Sequence, residues 1–70
     1  MEYNVRLWWD EDAGVWIADS PDVPGLVLES GSFDALIERV RFAVPELLSL
    51  NMSAQKPARL CFRSERQVAL

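Results

Sequence analysis

Seventy residues, with seven basic side chains against eleven acidic ones and a net charge of −4, suit one small domain, which buries only about 60% of the surface its unfolded chain exposes. The absence of histidine and the single cysteine, Cys61, exclude an internal disulfide and the usual Cys/His zinc sites, so self-association is the expected extra support. The acidic balance disfavours a phosphate-binding surface, whose affinity rests on basic side chains that displace counterions.

The N-terminus, MEYNVRLWW, has no basic region followed by an apolar one, so no signal peptide is expected. No apolar run approaches the roughly 20 residues that span a bilayer. The expectation is a cytoplasmic protein without membrane association.

Residues 3 to 9 alternate, with Tyr3, Val5, Leu7 and Trp9 on one side and Asn4, Arg6 and Trp8 on the other. That period of two predicts a half-buried strand. DEDAG then reads as a hairpin loop of about five residues. It sets Trp9 opposite Val15, Leu7 opposite Ile17 and Trp8 opposite Trp16, with Trp16 and Ala18 on the outer face. Ser20 to Gly25 cannot extend a central strand, because Pro21 and Pro24 lack the ladder donor. Leu26 to Glu29 form a short third strand. Gly31 releases the backbone, Ser32 caps a helix and Asp34 complements its dipole.

From Phe33 the period is helical, and Phe33, Leu36, Ile37, Val40, Val44, Leu47 and Leu48 share one face. Pro45 predicts either a kink or the first residue of a second helix, and Asn51 ends the pattern. Ala58 to Arg63 alternates again, with Ala58, Leu60 and Phe62 inward. The reading is an α+β domain over residues 1–64, in the order β-β-β-α-β, with a tail at 65–70. A mixed four-stranded sheet of order 3-2-1-4 carries the helix on one face, the last strand returning parallel to the first by a crossover.

This order, with EDAGVWIADSPDVPGLVLESGSFDALIERV inside it, resembles the HicB-like family of bacterial proteins. The carrying pieces are GVWIADSPDVPGL at the hairpin end, GSFDALIERV at the helix entry and VPELLSLN at the helix end. The match runs from Tyr3 to Arg63, and the last piece looks like a small, uncharacterised subfamily. The resemblance implies a partial ribonuclease-H-like fold and an antitoxin-type role. In that role the domain binds and blocks a small ribonuclease toxin with a double-stranded-RNA-binding fold. Typical members add a C-terminal DNA-binding module, for which these 70 residues leave no segment.

A ribonuclease-H site needs carboxylates from the first strand, the helix and the fourth strand converging on metal. The first strand offers Glu2 and Asp10 at its ends, the helix offers Asp34 and Glu38 on its solvent side, and PARLCFR offers none. Cys61 has no histidine to activate it, and no glycine-rich phosphate loop is present. No catalytic machinery and no cofactor are expected.

Charge is segregated: Asp10, Glu11, Asp12, Asp19 and Asp22 fall together, while Lys56, Arg59, Arg63 and Arg66 crowd the C-terminus. Ordinary solvated surface explains this, as does an acidic end that meets a basic protein. Trp8 and Trp16 on an uncovered sheet face would form an apolar interface patch, with Arg6, Arg59 and Arg63 at its rim. Cross-strand packing alone would also account for the two rings. Phe42, opposite the helix stripe, is a second candidate contact. The leading expectation is a non-catalytic interaction module that homo-oligomerises or occludes a small basic toxin. The alternatives are an orphan self-associating domain and a degenerate nucleic-acid binder.

Overall fold

The structure, a computed structural model, describes residues 2–51 and 59–70. Ala58 and Lys56, singled out above, lie outside them. The elements are β1 (Glu2–Asp10), β2 (Val15–Asp19), β3 (Val27–Ser30), α1 (Phe33–Asn51) and β4 (Arg59–Glu65). The four-stranded sheet has the order β3-β2-β1-β4, with β1 antiparallel to β2 and parallel to β4. The predicted α+β architecture and strand order are the observed ones.

Alternation in β1 buries Tyr3, Val5 and Leu7 under the helix. The helix stripe meets them with Leu36, Val40, Val44 and Leu48 buried, and with Phe33, Ile37 and Leu47 packed alongside. Ser32 caps α1 as expected, its Oγ accepting from the Ala35 N–H at 3.2 Å. Pro45 lies exposed inside α1, which continues through it, so no second helix begins there.

The hairpin register differs from the expected one by a single residue. Trp9 faces Trp16, Leu7 faces Ala18 and Trp8 faces Ile17. A slip of one residue turns every side chain of a strand to the opposite face. Trp16 and Ala18 therefore point at the helix, and Val15 and Ile17 point away. The cause is the loop, which spans four residues and leaves Asp10 in the strand. The Asp10 carboxylate accepts from the amides of Asp12 at 3.0 Å and Ala13 at 3.2 Å. Gly14, at φ 66°, closes the loop by donating to the Asp10 carbonyl at 2.8 Å.

The connection from β2 to β3 is built into the core. Continuing the β1–β2 register past Arg6 opposite Asp19 would set Pro21 against Asn4, and proline has no N–H to offer. Side chains supply the missing bonds. The Ser20 hydroxyl donates to the Asn4 carbonyl at 2.5 Å, and the Asp22 carboxylate accepts from the Asn4 amide at 2.7 Å. Val23-Pro24-Gly25-Leu26 then forms a type II turn. Its Gly25 has φ 85°, and the Leu26 N–H donates to the Val23 carbonyl at 3.2 Å. Both flanking residues, Val23 and Leu26, are buried core members.

Candidate functional site

Two surfaces collect the residues that sequence reasoning singled out. The outer sheet face, away from α1, carries Trp8, Val15, Ile17, Val27 and Cys61 by strand alternation. Val27 is 70% exposed and Trp8 half-buried. The Arg6 guanidinium lies 4.2 Å from the Trp8 ring centroid, a cation–π distance. It also donates to Asp19 through two of its three nitrogens, Nε to Oδ1 at 3.2 Å and Nη2 to Oδ2 at 3.0 Å. The Asp19 hydrogen bond and charge, with a smaller push from Glu65, raise the Arg6 pKa above its ordinary value. Arg6 is thus a fixed positive plate over the indole.

Arg59 and Arg63 stand exposed on the same face, in register with Glu2 and Arg6. An open groove of about 780 Å³ borders it, with Asn4, Arg6, Asp19, Val27, Arg63 and Glu65 among its lining residues. The acidic hairpin tip, Glu11 and Asp12, is exposed. Phe42, 77% exposed, projects from the helix away from the core.

Trp16 does not join this face, contrary to expectation. Its ring meets Trp9 at 5.6 Å and Phe33 at 4.8 Å, both edge-on, on the helix side of the sheet. Arg66 from the C-terminal segment caps this cluster, 4.2 Å from the Trp9 ring and 5.9 Å from that of Trp16. Sequence reasoning missed this assembly because it followed from the register. The earlier clue was Phe33 at the first turn of the helix, an aromatic with no strand partner assigned.

β4 also ends later than expected, and Glu65 gives it a carboxylate. Glu65 pairs with Trp8 on the outer face, whereas Asp34 and Glu38 are exposed on the helix, the layer over the other face. Among the described residues, no group of three Asp, Glu or Cys side chains converges to hold a metal ion. No described helix is long and apolar enough to cross a membrane.

A family described as a domain of unknown function, DUF1902, matches residues 2–70. The chain belongs to that family. A solved structure has the same fold, a hypothetical protein from the extremely thermophilic bacterium Thermus thermophilus. It is 35% identical with a TM-score of 0.86, and the match covers 100% of both chains. No curated protein matches the sequence. This DUF1902 domain therefore shares its fold with the thermophile protein over its whole length.

Proposed function

We propose that this DUF1902 domain is a non-catalytic interaction module of HicB-like antitoxin type, which binds a small basic protein, such as a ribonuclease toxin, across its outer sheet face. The observation that carries this reading is Trp8, held half-buried beneath the Arg6–Asp19 pair on the face that α1 does not cover. A rigid aromatic opposite Ile17 suits the apolar centre of an interface, and aromatic residues dominate binding energy there. The net charge of −4 and the acidic hairpin tip favour a basic partner, because opposite potentials steer encounter. With Trp16 turned inward, the outer face loses half of the aromatic patch that favoured self-association through it. A different protein is the better-fitting occupant.

The test is capture from the native cell extract on immobilised wild type, Trp8→Ser and Phe42→Ser, with bound proteins identified by mass spectrometry. One small basic protein should bind wild type and Phe42→Ser and be lost from Trp8→Ser. Recovery of no such protein, or equal recovery on all three, overturns the reading.

A further inference from the structure

The two edges of the sheet are unlike. The Asp10 carbonyl accepts from Gly14, and the Asn4 backbone groups bond Ser20 and Asp22. The even-numbered residues of β1 thus direct their backbone groups toward β2. Its odd-numbered residues must direct theirs toward β4, since backbone groups alternate along a strand. In the observed parallel register, Tyr3 with Leu60 and Val5 with Phe62, those bonds fall on Arg59, Cys61, Arg63 and Glu65. Leu60, Phe62 and Ser64 are left with N–H and C=O groups aimed away from the sheet. Among the described residues no strand pairs with that edge. An edge of seven residues is a template for another strand.

We propose that this edge is a homodimer interface, in which β4 pairs antiparallel with β4 of a second copy about a two-fold axis at Phe62. In that register Arg59 faces the partner's Glu65 at both ends. Leu60 faces the partner's Ser64, Cys61 faces the partner's Arg63, and Phe62 faces its own copy. The residues with unpaired backbone groups meet one another, so each N–H finds a carbonyl. Neighbouring registers are worse. Centring on Cys61 sets Arg59 against the partner's Arg63 twice, and centring on Arg63 sets two Arg63 side chains together and leaves Arg59 without a strand partner. Like charges directly opposite destabilise a pair, and opposite charges stabilise it. Centring on Ser64 would pair Arg63 with the partner's Glu65 but overlaps only three strand residues, so the register centred on Phe62 is the one that is complementary over the whole strand. Leu60 and Phe62 remain only half-buried beneath the helix, and the Phe62 pair covers them further. The occupant is a second copy of this chain, and the edge leaves the Trp8 face open, so this dimer stands or falls separately from the basic partner.

Sedimentation velocity on the full chain tests it, with thermal melts to confirm that each variant folds. Wild type should be dimeric, and Arg59→Glu or Glu65→Arg alone should raise the dimer dissociation constant roughly tenfold or more. The double variant Arg59→Glu/Glu65→Arg should regain the wild-type value. Six residues of strand hold the two side chains roughly 20 Å apart within one chain, so that rescue acts between copies. The carboxylate introduced at position 59 still opposes Glu2 of its own chain in the double variant, so monomer destabilisation cannot mimic the recovery. As a second readout, Arg63→Cys should form, on mild oxidation, a disulfide from Cys61 to residue 63 of the other copy. These are non-hydrogen-bonded partners with Cα atoms about 4.5 Å apart, within disulfide range. A wild type monomeric at about 100 μM, where mass action favours association, overturns the proposal. So does a dimer indifferent to both charge reversals, or a link joining two residues of the same number.

Discussion

Trp8 and Trp16 are the same side chain in different surroundings. Trp16 sits edge-on between Trp9 and Phe33 and packs against the core, so its removal leaves a gap between strand and helix. Trp8 has the Arg6 guanidinium above it on the open face, a contact of about 0.5–1 kcal/mol at exposed sites. Replacing Trp16 with alanine should cost about 3 kcal/mol, the lower end for a large aromatic. Trp8→Ala should cost about 1 kcal/mol or less. Urea unfolding of the two variants measures both, and equal losses would mean that the hairpin register is other than described. The partner-capture experiment turns on Trp8 instead, because a binding surface and a core draw on different residues.

At the level of elements, Pro45 is the exception to local propensity. It lies exposed in the interior of α1, where proline removes the bond to the Arg41 carbonyl and crowds it. Pro45→Ala should therefore stabilise the domain by up to about 3 kcal/mol, seen as a higher melting temperature. An unchanged melting temperature would mean that the chain has already relaxed around the ring. Most of this architecture was legible in the sequence, because β1 and α1 have clear periods of two and 3.6 and Ser32 marks the start of the helix. The hairpin register was not. Asp10 reads equally as strand end or loop start, and only its carboxylate bonds to the Asp12 and Ala13 amides decide the matter. Ser20 to Gly25 read only as a stretch unable to extend a strand, yet Val23 within it and Leu26 after it are buried. The available signal was an apolar residue on each side of Pro-Gly. The candidate site was half legible: Trp8 and its arginines follow from β1 and β4, while Trp16 moved with the register.

For the molecule as a whole, charge and carboxylate placement bear on what the domain does to nucleic acid. Glu65 lies on the outer face of the sheet, while Asp34 and Glu38 sit on the helix across the other. A two-metal phosphodiesterase requires ions about 4 Å apart held by shared carboxylates, and these groups stand on separate layers. Purified protein supplied with magnesium or manganese should leave RNA, DNA and their hybrid intact over hours. Metal-dependent cleavage that copurifies with the protein and vanishes in Glu38→Gln would reverse this conclusion.

The far rim of the sheet has its own device. In β3 the backbone groups of Val27 and Glu29 point outward, and the Glu29 carbonyl accepts from Arg39 Nη1 of the helix at 2.7 Å. That strand has only four residues, and one of its two outward carbonyls is already occupied by a cation. A charged, shortened rim resists further strand addition. Two copies joined at β4 would present only such rims to the solvent. Sheet growth would then end at a closed, two-fold particle, with no open-ended route to filaments.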